Sequence, residues 1–122
     1  MGMGEIRTYR DLAVWQKAIE LVTCVYENTK SFPADEKYSL VSQIRRAAVS
    51  IPSNIAEGYG RKHTNDYLRY LQISIGSVFE LQTQLIISKN LNYIDNEKYD
   101  NLENKTREIE RMLSSLISKI KH

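Results

Sequence analysis

A chain of 122 residues is long enough for one domain with a single core, and a composition 42% hydrophobic and 26% charged fits an ordinary folded helical protein. No apolar run approaches the ~20 residues needed to cross a bilayer, and no signal-peptide pattern opens the chain, so a cytoplasmic location without a membrane partner is expected. Cys24 stands alone, which excludes an intrachain disulfide, and the net charge is only +2, so bulk charge alone points to no partner.

The first helix is expected to begin between Thr8 and Asp11 and to run to about Lys30, with Leu12, Trp15, Ile19, Val22 and Tyr26 repeating at helical spacing. Phe32-Pro33 ends it, because proline disfavours a helical residue before it. The second helix is read from about Lys37 to Glu57. Its core stripe is Leu40, Ile44, Ala48, Ile51 and Ile55, which keeps phase across Pro52. An internal proline removes one backbone donor and clashes with the carbonyl four residues back, that of Ala48. Gly58 and Gly60 then read as a flexible stop.

Thr64 is a candidate N-cap for a third helix, with Asp66 in its first turn. That helix continues to about Asn90, with Leu68, Leu71, Ile75, Val78, Gln82 and Leu85 on one face. In the fourth, Asp95 is the expected cap, and Ile94 with Tyr99 has staple spacing. Tyr99, Leu102, Thr106, Ile109, Leu113, Leu116 and Ile120 carry the stripe to the end. The fold class is therefore all-α: an antiparallel four-helix bundle filling residues 1–122 as one domain, with residues 1–7 expected to be partly disordered. Trp15, Ile44, Ile51, Leu71, Val78, Ile109 and Leu113 are the expected core.

Two helices have more apolar face than one bundle uses. Ser42, Val49, Ser53 and Ala56 form a second, small-residue stripe on the second helix. Ile73 and Ile87 lie opposite the core stripe of the third, in line with Gly76, Ser77 and Glu80. A homo-oligomer with Val49, Ser53, Ala56, Ile73 and Ile87 at its interface is the expectation.

Chemistry-bearing motifs are sparse. His63 and His122 have no partners at ligand spacing, so no metal or other cofactor is expected. Gly58-Tyr59-Gly60 follows a helix and is too short for a phosphate loop. Glu57 has no second carboxylate nearby, so no catalytic residue is assigned and no enzymatic activity is expected. Charge distribution is more informative. Residues 37–70 hold six basic groups against Glu57 and Asp66, whereas the remainder holds 11 basic against 13 acidic residues. Arg45, Arg46, Arg61, Lys62 and Arg69 are the candidate phosphate contacts, with Tyr59 and Tyr70 as candidate stacking groups. The bland alternative is a solvated helix face with core tyrosines, its arginines paired to acids such as Glu57 or Glu80.

Three segments carry a family resemblance: Arg10-Asp11-Leu12-Ala13-Val14-Trp15-Gln16-Lys17-Ala18, the long run from Gln43 to Gly58, and Gly76-Ser77-Val78-Phe79-Glu80-Leu81-Gln82-Thr83-Gln84-Leu85. They resemble the bacterial four-helix-bundle proteins encoded in intervening sequences of 23S rRNA genes, some of which carry the label ribosomal protein S23. The resemblance spans about Arg10 to Lys119. It implies an antiparallel four-helix bundle assembled as a ring-shaped homopentamer. The accessory proteins of diversity-generating retroelements look like relatives, and they are more basic pentamers that bind nucleic acid and a reverse transcriptase. The expected function is a non-enzymatic oligomeric module that binds RNA or other nucleic acid through the basic region of the second and third helices. The alternative is a ring that recruits a protein partner and touches no nucleic acid.

Overall fold

The computed structural model describes residues 5–121. Four helices account for most of it: α1 (Ala13–Thr29), α2 (Leu40–Tyr59), α3 (Thr64–Asn90) and α4 (Asn96–Lys121). Each packs against its two neighbours in a closed cycle, α1 on α2, α2 on α3, α3 on α4 and α4 on α1. Cross-helix partners fix the directions. Arg45 meets Thr29, Ser50 meets Ser77, Gln82 meets Thr106 and Lys17 meets Glu108. The first three pairs each lie on either side of a short connection, as antiparallel neighbours must, and Lys17–Glu108 closes the cycle between the first and last helices. The bundle is thus up-down-up-down.

The chain enters through a short 3-10 turn, Tyr9–Asp11. Thr8 and Asp11 form a reciprocal capping box there, and the backbone N–H groups of Arg7 and Thr8 hold the Asp11 carboxyl below its ordinary range. The expected disorder over residues 1–7 falls, for residues 1–4, outside the described residues, as does His122. A second 3-10 turn, Ala34–Glu36, follows Pro33. Lys37–Ser39 continue it as a turn, so α2 starts at Leu40 and not at Lys37. Tyr93, between α3 and α4, donates its hydroxyl to Glu36 at 2.7 Å and ties the two connections at this end. That bond, ahead of burial, holds the Tyr93 phenol above its usual range.

Of the expected core, Ile44, Ile51, Leu71, Val78, Ile109 and Leu113 are fully buried. Trp15 is not. It is half-buried, edge-on to Tyr9 with ring centroids 5.2 Å apart. The whole α1 stripe is displaced by one residue: Val14, Ala18, Leu21 and Val25 are inside, while Ile19 and Tyr26 are 40% and 39% exposed. Two apolar stripes run side by side on α1, and the one with smaller side chains lets the helix approach its neighbours. α4 follows its expected register from Leu102 to Leu113 and also buries Ile117. Asp95 caps it by accepting from the Lys98 N–H at 2.8 Å. His63, not Thr64, is the cap residue of α3, and it makes no side-chain capping bond.

The α2–α3 seam is built from small residues. Ser50 and Ser77 share a hydrogen bond of 2.8 Å, and the Ser74 hydroxyl donates to the Ile51 carbonyl at 3.0 Å. Asn54 donates to the Ser50 carbonyl and hydroxyl. α2 runs unbroken through Pro52, which is buried and lines a groove beside α1 together with Trp15, Val22 and Val49. It also runs through Gly58, which is no helix stop. Gly58 is buried, and a Cβ there would lie 2.6 Å from the Tyr70 Cβ and 3.3 Å from the Tyr67 carbonyl. Those atoms belong to or adjoin the α3 backbone and have little room to move.

Two predictions follow from this packing. Leu113→Ala should lower unfolding free energy by about 2–5 kcal/mol in denaturant melts, the usual range for a large core truncation; a negligible change would refute the α4 register. Gly58→Ala should destabilise by about 1–3 kcal/mol through overpacking. Gly76→Ala, with nothing within 4 Å of its Cβ, should be neutral or stabilising by up to about 1 kcal/mol through helix propensity. Equal effects of the two would show that the α2–α3 approach is not limited at Gly58.

Candidate nucleic-acid interface

The five candidate phosphate contacts form two clusters, separated by roughly 20 Å of helix along α2. Arg45 and Arg46 lie in its first half, beside the C-terminal end of α1. Arg61, Lys62 and Arg69 lie where α2 hands over to α3.

At the first end, Arg45 is half-buried and anchored. Its Nε donates to the Thr29 hydroxyl at 3.0 Å, and an Nη donates to the Tyr26 carbonyl at 3.3 Å. Its guanidinium sits 4.4 Å from the centre of the Tyr26 ring. A cation over the last carbonyls of α1 is favoured by the helix dipole as well as by these bonds. Arg46, one residue on, projects from the exposed ridge of α2. Lys37 and Tyr38 from the preceding turn border the same open cleft, which has a volume of about 590 Å³.

At the second end, Arg61 bonds to Glu57 and to the Tyr70 hydroxyl, the latter at 2.8 Å. The guanidinium carbons of Arg61 and Arg69 lie 4.9 and 5.4 Å from the Tyr70 ring centre. Tyr59 meets Tyr67 edge-on at 6.0 Å. Burial first, and the neighbouring Tyr59 second, push the Tyr67 phenol above its usual range. Lys62 is exposed.

Among the described residues, Arg45, Arg46, Lys62 and Arg69 have no carboxylate within 4.0 Å; Arg61 alone of the five does. The acids that the alternative reading pairs with these arginines have other contacts, Glu57 with Arg61 and Glu80 with the Gln84 amide. The residues expected at a subunit interface lie outside the core: Val49, Ile73 and Ile87 are 39%, 44% and 42% exposed, Ser53 is exposed and Ala56 half-buried. No group of three His, Cys, Asp or Glu side chains able to hold a metal occurs among the described residues, and no helix is long and apolar enough to cross a membrane.

Sequence reasoning missed Tyr26, Lys37 and Tyr38 as neighbours of the arginine pair. The signal was present in the turn. An antiparallel hairpin centred near residue 35 places position 26 opposite position 45.

Helix order, packing cycle and the small-residue seam define an antiparallel four-helix bundle bearing two cationic clusters. Residues 10–115 match the model of the 23S rRNA-intervening sequence protein family, and the chain belongs to that family. It is also similar to a crystal structure of a protein with unknown function from the S23 ribosomal protein family of Bacteroides thetaiotaomicron. The match has a TM-score of 0.80 at 26% identity and covers 86% of this chain and 95% of that one. No curated protein matches the sequence.

The two arginines make separable predictions. Arg45→Met should destabilise the bundle by about 1–3 kcal/mol, because it removes the donor to the buried Thr29 hydroxyl oxygen and to the Tyr26 carbonyl at the end of α1. Arg46→Met should stay within about 0.5 kcal/mol of wild type. Thermal and denaturant melts check both; the reverse order would mean that Arg46 is the structural arginine.

Proposed function

We propose that the chain is a non-enzymatic, cytoplasmic, oligomeric module that binds RNA or another nucleic acid through the cationic groups at the two ends of α2. One observation supports this most. Arg46, Lys62 and Arg69 are exposed, and none has a carboxylate within 4.0 Å among the described residues, although the chain holds 15 acidic residues. Such cations are available to neutralise phosphates and to release their counterions. One subunit offers few of them. Assembly into a closed ring, a pentamer by the family resemblance, repeats both clusters around an axis and turns weak contacts into avid ones where a strand spans them. The exposed Val49, Ser53, Ile73 and Ile87 are suited to such an interface.

A second reading has its own support. Phe79 and Ile86 are 48% and 46% exposed. They lie seven residues apart on a flank of α3 different from that of Ile73 and Ile87. A protein partner seated there would make the ring a recruitment scaffold with no nucleic-acid role.

Titration with a single-stranded RNA at two salt concentrations, with light scattering in parallel, decides between them. Nucleic-acid binding should weaken with a log–log slope of about −0.7 per phosphate contact. Arg46→Ala with Lys62→Ala should weaken binding to every sequence and flatten the slope while the oligomer persists. Ala56→Glu with Ile73→Glu should release smaller species. A wild type that retains no RNA at low salt refutes the nucleic-acid reading, and a micromolar monomer refutes the ring.

A further inference from the structure

The two cationic clusters differ in what surrounds them. At the α2–α3 end, the aromatic group is already engaged: the Tyr70 hydroxyl accepts from Arg61, and two guanidiniums lie beside its ring. The cleft at the α1–α2 end is different. Lys37, Arg45 and Arg46 border it, and no carboxylate does. The nearest acid in sequence, Glu36, is occupied by the Tyr93 hydroxyl and lies 3.4 Å from the Leu40 N–H. Arg45 spends two donors on α1, which leaves the other N–H groups of its five-donor fork. Tyr38 is 87% exposed, the most open of the large apolar side chains, and the Lys37 ammonium lies 5.4 Å from its ring centre.

We infer that this cleft is a nucleotide subsite, in which one base of a single strand stacks on Tyr38 and its flanking phosphate is held by Lys37 and Arg46. The inference rests on the nucleic-acid reading above and narrows it to single strands and to one site. The reasons are chemical. An exposed phenol ring adds nothing to the core, yet it is a platform for any base, because every base has a π-face. Cations without carboxylate partners beside that platform suit the phosphate, and Arg45 adds positive potential from a position that the Thr29 and Tyr26 bonds keep fixed. Val41 forms apolar floor in the cleft. A paired duplex keeps its bases stacked and cannot supply one to Tyr38, so the subsite selects unpaired segments.

The test uses the full chain and a labelled oligouridine, intact or with abasic positions, at low salt. Tyr38→Ala should bind the intact strand about 5- to 150-fold more weakly, the range for loss of one base–aromatic stack. Tyr38→Phe should bind as wild type does. Abasic substitution should weaken wild type but not Tyr38→Ala, a coupling that mere loss of fold would not produce; unchanged melts of the exposed Tyr38 variants check the fold directly. If wild type binds the strand and Tyr38→Ala binds equally well, the subsite is refuted and the broader reading stands. Equal competition by polyglutamate and by oligouridine would refute it as well, by showing a site for acidic chains in general. If wild type binds no strand at all, both fall together.

Discussion

The close approach of α2 to α3 is the constraint on which the remaining arrangement depends. Gly58 admits the Tyr70 Cβ to a position that any other residue would block, and the serines at 50, 74 and 77 bond across the seam where larger side chains would hold the helices apart. Hydroxyls buried in such a seam are costly unless they are paired, and here they are paired with one another and with a backbone carbonyl. The seam therefore specifies register as well as distance. Sliding α3 by one residue would unpair Ser74 and Ser77 and drive Tyr70 past the one gap made for it.

That register determines where the charges lie. With Gly58 against Tyr70, Arg61 emerges beside the tyrosine and is drawn into bonds with it and with Glu57. At the other end, the wide connection through the Ala34–Glu36 turn folds α1 back so that Thr29 meets Arg45. One arginine at each end is thus built into the scaffold, while a neighbouring cation stays exposed: Arg46 beside Arg45, Lys62 and Arg69 beside Arg61.

Much of this was legible in the sequence because it rests on local rules. The existence and order of the helices, the Asp95 cap and the α4 stripe all follow from spacing and from residues next to one another in the chain. The errors arose where tertiary contact chooses between local equals. α1 carries two stripes a residue apart, and hydrophobicity favours the one with Trp15 and Ile19. Packing favours Val14, Ala18 and Val25 over Trp15, Ile19 and Tyr26, because smaller side chains permit a closer helix. Gly58 looked like a stop because glycine usually ends helices; its real constraint is Tyr70, 12 positions later in the chain. The single basic segment became two clusters because a helix of 20 residues separates its ends. Lys37 and Tyr38 joined the first cluster only once the α1–α2 turn was placed.

If the cations at the ends of α2 bind nucleic acid as proposed, they should be the places where RNA touches the bundle. Photo-crosslinking of the intact protein to 4-thiouridine-containing RNA, read residue by residue by mass spectrometry, tests it most directly. Crosslinks should concentrate at both ends of α2, on the peptides containing Lys37 to Arg46 and Arg61 to Tyr70. Crosslinks confined to α4, or none above those of a heat-denatured control, would contradict it.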